Sequence, residues 1–159
     1  MSLATINVTE AMIDSVAEVF ENMAFMEALP GQPEDAPGSD EPVFYTRLPI
    51  YKPSPAMVGL VIPQSLALNL AGAMMMREFN MEDDEFEVMD VLSEVSNTLA
   101  GSLLTHLLPD LDSFELGLPE CRVITDGVKN KEWENSEEFL FATDERRRLR
   151  RHINVANVP

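Results

Sequence analysis

At 159 residues the chain has the length of one domain, and with 45% hydrophobic residues it can bury a core without disulfides or metals. Its formal net charge of −17 disfavours nucleic acid and anionic membranes as partners, although the acidity can equally serve solubility alone. Cys121 is the only cysteine, and neither an export signal nor a membrane-length apolar run is visible, so we expect a cytoplasmic protein.

The first third of the chain predicts one helix, a loop and a hairpin. Apolar residues recur every three or four positions over residues 11–26, the spacing of an amphipathic helix, and Thr9 is its expected N-cap. Residues 29–42 are rich in Pro, Gly and acidic residues, which indicates a solvated loop. Residues 43–50 and 56–62 have the composition of two strands joined as a hairpin.

Two helices are predicted next. Pro63 suits a helix start, Gly72 allows close packing, and the methionine run 74–76 is expected in the core. The second helix runs from the acidic residues 82–85 to about Leu108, where Pro109 stops it. Because the acids lie at the positive end of the helix dipole and lack the spacing of a calcium loop, no metal site is expected there.

The last third predicts short strands at residues 114–118, 122–125, 138–142 and 148–155. The order of elements favours an α+β fold, with helices packed on one face of a largely antiparallel sheet, as a single domain over residues 1–159. Residues 146–151 hold five of the eleven basic residues. We interpret this run as a solvated turn with an edge strand, or as a contact between subunits, rather than a nucleic-acid site.

The long helix carries the one pattern that points to function. At about 100° per residue, Val88, Leu92, Val95 and Leu99 form a stripe expected to be buried. Four residues cluster almost opposite that stripe: Asp90, Glu94, Asn97 and Gly101. A solvated helix face is the ordinary meaning of such a pattern. Asn and Gly are poor helix formers in mid-helix, however, and the glycine suggests close approach of another backbone.

These residues match a family signature. The segment Asp90-Val-Leu-Ser-Glu94-Val-Ser-Asn97-Thr-Leu-Ala-Gly101, with Pro119 following 22 positions after the Asn, resembles that of the CheC/CheX/FliY chemotaxis phosphatases. The flanking segments agree over about residues 55–127. Since the chain has one such helix, it resembles the single-site CheX type rather than the two-site CheC type.

The resemblance implies a CheX-like fold and a phosphatase for a phosphorylated CheY-like response regulator, with no covalent intermediate on this chain. It implies that Asn97 orients the attacking water and that Glu94 pairs with a lysine of the regulator. Asp90, Gly101 and Pro119 are then supporting residues. The implied Mg²⁺ is held by the regulator, this chain binds no cofactor, and a homodimer through sheet edges is compatible with the family.

Two other hypotheses stay open. The same helix face could bind a receiver or a flagellar switch component without hydrolysis, or the face could be idle while sheet edges form a dimer. The family pattern explains neither the 29–42 loop nor the acidity. His106, near the end of the long helix, is expected to stabilise the helix dipole, and Cys121 has no neighbouring His or Cys for a nucleophilic site.

Overall fold

The computed structural model describes residues 3–31, 41–125, 137–143 and 150–156. Its helices are α1 (Leu3–Ala24), α2 (Gln64–Met75) and α3 (Met81–Leu107). Its strands are β1 (Ala28–Pro30), β2 (Val43–Lys52), β3 (Ala56–Pro63), β4 (Glu115–Leu116), β5 (Glu120–Ile124), β6 (Glu137–Thr143) and β7 (Arg150–Ala156). The seven strands form one antiparallel sheet in the order β1-β6-β7-β3-β2-β4, and β5 also pairs with β2.

The sheet carries the helices on one face, as predicted. Alternate residues of β2 and β3, such as Phe44, Leu48 and Leu60, are buried in one large core with the apolar faces of the three helices. Residues of the opposite parity, Val43, Tyr45 and Val61, form a separate small cluster. Because successive side chains of a strand point to opposite faces, this division places the main core on the helical side.

Helix α1 is longer at its start than predicted. It begins at Leu3, so Thr9 lies inside the helix and is not its N-cap. No Pro or Gly precedes Thr9 to interrupt the helix, and Val8 extends the buried face by one turn. The helix ends earlier than predicted, because Phe25 adopts a left-handed conformation (φ 55°) and Met26 N–H donates to Phe20 O.

The predicted loop at 29–42 contains a strand at its start. Ala28–Pro30 pairs with β6 at the edge of the sheet, a position where a proline is tolerated because its missing N–H can face away from the ladder. Gly31 N–H continues the pairing to Leu140 O at 2.7 Å. Residues 32–40 of the predicted loop lie outside the described residues.

The arginine-rich strand is also not where we predicted it. β7 lies between β6 and β3 and pairs with both, so residues 150–152 belong to an inner strand and not to an edge. Residues 146–149 lie outside the described residues. The predicted strand at 114–118 is reduced to Glu115–Leu116, because its pairing with β2 is irregular and ends at Gly117.

Of the methionine run at the end of α2, only Met74 packs against the core, where it is partly buried. Met75 is half exposed, and Met76 is 92% exposed in a left-handed C-cap conformation (φ 58°). The cap requires Gly72: a Cβ on Gly72 would lie 2.9 Å from the carbonyl oxygen of Arg77. The close packing predicted at Gly72 is therefore confirmed. Met76, four residues later at the helix end, faces solvent.

Arg77 joins the α2–α3 connection to the first turns of α3. Its guanidinium donates to Asp84 at 3.2 Å and also pairs with Glu87, and it lies over the ring of Phe79. Asn80 is the N-cap of α3, and its side chain accepts from Asp83 N–H at 2.8 Å. The hydrogen bond from Asn80 N–H, together with Arg77, holds the pKa of Asp84 below its usual value.

A buried polar contact joins α3 to the sheet. Thr46 Oγ1 on β2 donates to Ser96 Oγ on α3 at 3.1 Å, and both side chains are fully buried. Ser96 directly precedes Asn97, so this contact fixes the rotation of α3 next to the polar face that the sequence singles out. Among the described residues, no helix has the length and apolar character needed to cross a membrane.

We predict that Ser96→Ala lowers the free energy of unfolding by about 1–3 kcal/mol, because it leaves the buried Thr46 hydroxyl without this partner. Urea unfolding of the wild type and variants measures the loss. The double variant Thr46→Val with Ser96→Ala should recover part of it, because both polar groups are then removed together. A double variant whose loss equals the sum of the losses of Thr46→Val and Ser96→Ala would show that the hydrogen bond contributes nothing.

Candidate functional site

One side of helix α3 is buried along most of its length. The predicted stripe of Val88, Leu92, Val95 and Leu99 is fully buried, which confirms the periodicity argument. Five further residues of α3 are buried as well: Val91, Ser96, Ala100, Leu103 and Leu104. The helix packs on α1, α2 and strands β2, β3 and β5. The other side of α3 is left to solvent.

That exposed face holds the residues of the predicted site. From residue 86 to residue 98, the exposed positions are Phe86, Asp90, Glu94, Asn97 and Thr98. Glu94 and Asn97 are three residues apart, which places their Cβ atoms about 5–6 Å from each other on adjacent turns. The carboxylate and the amide can thus touch one bound molecule at the same time.

The side chains of Glu94 and Asn97 make no hydrogen bond or ion pair with another residue in the described parts of the chain. The opposite side of their helix packs in the core, and Ser96 on that helix is hydrogen-bonded to Thr46. Thr98 and Thr105 donate to the carbonyl oxygens of Glu94 and Gly101, at 3.0 and 2.9 Å. The polar pair is therefore fixed in backbone position while its functional groups remain available to a partner.

Gly101 does not receive another backbone within the described chain. A Cβ at this position would meet the ring of Phe114 at 3.6 Å, an ordinary van der Waals contact with a side chain. Within the described chain no backbone of another element approaches Gly101 closely, so approach by a partner stays a prediction. Phe114, 42% exposed, instead borders the face at its C-terminal end.

The segment after α3 is held against β2 through Gly117. Its N–H donates to Pro49 O at 2.7 Å, and a Cβ there would lie 2.8 Å from Pro49 Cγ and 3.0 Å from the Tyr51 hydroxyl. Only glycine fits without displacing these rings. Pro119 follows two residues later, partly exposed, between β4 and β5. Its place in the chain suits a role in shaping this turn.

Sequence comparison identifies the family. The sequence profile of the family described as chemotaxis phosphatase CheX matches residues 50–141, more than half of the chain and the whole of α3. The chain belongs to the CheX family. No match is found among curated protein sequences.

Solved structures of this family and its relatives share the fold. CheX of Borrelia burgdorferi, in a complex with CheY, BeF3 and Mg²⁺, is 20% identical with a TM-score of 0.68, covering 93% of this chain and 96% of that one. A CheC-like protein of Shewanella sp. PV-4 is 17% identical with a TM-score of 0.71, covering 99% and 100%. FliY of Thermotoga maritima is 15% identical with a TM-score of 0.66, covering 93% and 84%.

Two further features involve β5. The thiol of Cys121 is half buried on the helical side of β5, and burial, with the nearby Asp90 carboxylate, raises its pKa to about 12. A depression of about 290 Å³ is lined by Tyr45, Arg47, Glu120, Cys121 and Arg122, and the pairs Tyr45–Arg122 and Arg47–Glu120 place it mainly on the face of the sheet opposite the helices. None of the four residues predicted on α3 lines it. The described residues contain no group of three or more His, Cys, Asp or Glu that could hold a metal ion.

His106 lies in the last turn of α3, where the dipole argument placed it. The structure adds a partner that sequence reasoning missed, because His106 Nε2 lies 2.8 Å from Glu18 Oε2 on α1. Sequence reasoning also missed the two aromatic residues of the exposed face. Phe86 lies four residues before Asp90 and therefore on the same side of the helix, so helical periodicity is the signal that identifies it.

We predict that Gly101→Ala raises the free energy of unfolding by about 0.5–1 kcal/mol. Alanine is favoured over glycine by about this amount in a helix interior, and the added Cβ makes only an ordinary contact with Phe114. Urea unfolding gives the change, with Gly117→Ala as the control that should destabilise because of its close contact with Pro49. A loss of stability for Gly101→Ala would show that the helix cannot accept a side chain there.

We predict that Cys121 reacts with iodoacetamide at about pH 8 on the order of a hundredfold more slowly in the folded chain than in urea. The thiolate is the reactive form, and the raised pKa keeps the sulfur protonated well above neutral pH. Mass spectrometry of the alkylated chain follows the reaction. Equal rates in the folded and unfolded chains would contradict the burial of this thiol.

Proposed function

We propose that this CheX-family chain removes the phosphoryl group from a phosphorylated CheY-like response regulator, with Glu94 and Asn97 as its active pair. The observation that carries the proposal is the exposure of these two side chains, next to each other and without hydrogen-bond or ion-pair partners among the described residues, on a helix whose other side is buried in the core. The membership in a family of chemotaxis phosphatases supports the reaction.

Asn97 positions the attacking water in this proposal. An amide does not accept a proton at neutral pH, but its carbonyl oxygen and its NH₂ group can hold a water molecule in line with the phosphorus atom. Hydrolysis of an aspartyl phosphate depends on such positioning and on charge neutralisation more than on a strong base. No covalent intermediate on this chain is needed.

Glu94 binds the partner. Its carboxylate, one turn before Asn97, is placed to pair with a lysine next to the phosphoryl group of the regulator. That pairing would set the distance between Asn97 and the phosphorus atom. Asp90 and Gly101, on the same face, complete the contact surface in a supporting role, and Pro119 shapes the segment that follows α3.

Mg²⁺ belongs to the partner in this account. The similar CheX of Borrelia burgdorferi was crystallised with CheY, BeF3 and Mg²⁺. By analogy, the metal stays on the regulator and neutralises the phosphoryl group, while this chain supplies the water-positioning amide. The acidic surface around Glu94 also suits a partner with a basic site rather than a nucleic acid.

The proposal also covers the domain, the cellular compartment and the oligomeric state of the chain. The whole chain, residues 1–159, acts as one CheX-like domain in the cytoplasm, where response regulators are phosphorylated. It forms a homodimer through sheet edges, which are β1 on one side and β4 with β5 on the other among the described strands. Light scattering that gave the mass of a monomer at all concentrations would contradict the dimer and leave the reaction untouched.

We predict that the chain accelerates phosphate loss from a phosphorylated receiver in the presence of Mg²⁺, and that Asn97→Ala abolishes the acceleration. Because the amide acts on the water, Asn97→Ala should retain receiver binding within about threefold. Glu94→Ala should weaken binding by about tenfold or more, the usual effect of removing a charge-assisted contact. Phosphate release and titration calorimetry measure the two effects separately.

Thr98→Ala is the matched control for these variants. Thr98 is exposed on the same helix, and its hydroxyl is engaged by the carbonyl oxygen of Glu94, so its loss should change neither quantity. Binding without any acceleration by the wild-type chain would support the alternative of a non-catalytic receiver- or flagellar-switch-binding module. Wild-type chain that neither binds nor dephosphorylates any receiver from its source would exclude both.

A further inference from the structure

The exposed face of α3 is not uniformly polar. Phe86 is 79% exposed and begins the row that continues through Asp90, Glu94 and Asn97. On the helical wheel, residues 86, 90, 94, 97 and 101 fall within about 80° of one another. Phe114 lies against Gly101 at the other end of the row. The polar pair is thus bracketed by two aromatic rings over a helix length of about 22 Å.

The ring of Phe86 is presented by a rigid part of the chain. The first turns of α3 are tied to the α2–α3 connection by Arg77, which bonds to Asp84 and pairs with Glu87 on either side of Phe86. Asn80 caps the same turn. Val88, two residues later, is fully buried. Since the backbone is fixed here, Phe86 can bind a partner at little cost in ordering of the backbone.

The surroundings of Phe86 select the kind of partner. The four acidic residues 82–85 precede it, and Asp90 and Glu94 follow it on the same helix. A second copy of this chain, docking by the same face, would bring two rows of acidic side chains together. Like charges at such short range oppose that contact. The face fits a partner that offers an apolar patch beside basic side chains.

We propose that Phe86 is an affinity-determining contact of the surface that binds the response regulator, filling an apolar patch of the regulator near the lysine that pairs with Glu94. This inference rests on the proposed function, because the row of residues that contains Phe86 is the row of Glu94 and Asn97. It adds a contact three helical turns away from Asn97. Such a distant contact holds the partner without touching the reacting atoms.

The test uses a receiver loaded with beryllofluoride and Mg²⁺, which mimics the phosphorylated state and is not hydrolysed. Phe86→Ala should raise the Kd for this receiver by about tenfold or more, because truncating a buried aromatic contact commonly has this effect. In the phosphatase assay, KM should rise by a similar factor while kcat stays within about twofold of wild type. Phe86→Leu should recover most of the affinity.

Phe25→Ala is the matched control. Phe25 is 88% exposed and lies after α1, three residues before β1, which is at the opposite edge of the sheet from the strands that contact α3. It should leave Kd, KM and kcat unchanged. Thermal unfolding of both variants checks that neither loses its fold.

The salt dependence of the affinity distinguishes the contact made by the Phe86 ring from the contacts made by charged side chains. Between about 0.1 M and about 1 M salt the screening length falls from about 10 Å to about 3 Å. The loss caused by Phe86→Ala should stay constant over this range, while the loss caused by Glu94→Ala should shrink. A loss for Phe86→Ala that disappears with salt would overturn the proposal of an apolar contact.

The two proposals fail in different ways. If Asn97→Ala abolishes acceleration while Phe86→Ala leaves Kd and KM unchanged, the inference on Phe86 is wrong and the phosphatase stands. If Phe86→Ala changes only the self-association of the chain, the occupant is a second copy and the inference is again wrong. If the wild-type chain binds no loaded receiver, both are wrong.

Discussion

The packing of α3 against the sheet is the constraint on which the rest of the structure depends. The predicted stripe of α3 and five further residues of the helix are buried, and the buried hydrogen bond between Thr46 and Ser96 fixes the rotation of the helix next to Asn97. That rotation leaves Asp90, Glu94 and Asn97 on the solvent side of the helix. Between residues 86 and 98, the positions that α3 offers to a partner therefore lie on that side.

A surface row on a firmly packed helix suits a reaction that depends on positioning. Glu94 and Asn97 lie on adjacent turns, so their separation is set by helix geometry and not by a flexible loop. The segment after α3 borders the same face. Gly117 packs against Pro49 and Tyr51, and Phe114 in the same segment lies next to Gly101. In the proposed function, this row is a preformed contact surface on which the receiver completes an active site that neither protein has alone.

Much of the fold follows from residue patterns. The buried stripe of α3 and the hairpin of β2 and β3 agree with the expectations from periodicity, because both depend on local alternation of apolar residues. The predictions from sequence are wrong where the pairing of strands that are distant in sequence determines the structure. Ala28–Pro30 has the composition of a loop but becomes a strand because β6 lies beside it, and β7 is an inner strand although its arginines suggested an edge. Met76 has the hydropathy of a core residue, yet it is exposed because it is the C-cap of α2, with its N–H donated to Gly72 O.

The candidate site, like the fold, could be predicted from the sequence only in part. Periodicity alone places Glu94 and Asn97 on the outer face, and the structure confirms their exposure. The reaction comes from the resemblance to the CheC/CheX/FliY phosphatases and from the family match, since no spacing of side chains distinguishes a catalytic amide from a solvated one. The buried link from Ser96 to Thr46 joins residues 50 positions apart, and the contact of Phe114 with Gly101 depends on how the chain turns after α3. Neither could be predicted from local patterns.

The central claim is that the exposed row of α3 enters the phosphoryl site of a response regulator. A crystal structure of this chain with a beryllofluoride-loaded receiver and Mg²⁺ tests it most directly. The account predicts the Asn97 side chain within hydrogen-bond distance of a water or fluoride at the beryllium site, with Glu94 paired to a basic side chain of the receiver. A complex in which the receiver binds the outer face of the sheet, with Glu94 and Asn97 left in solvent, would contradict it.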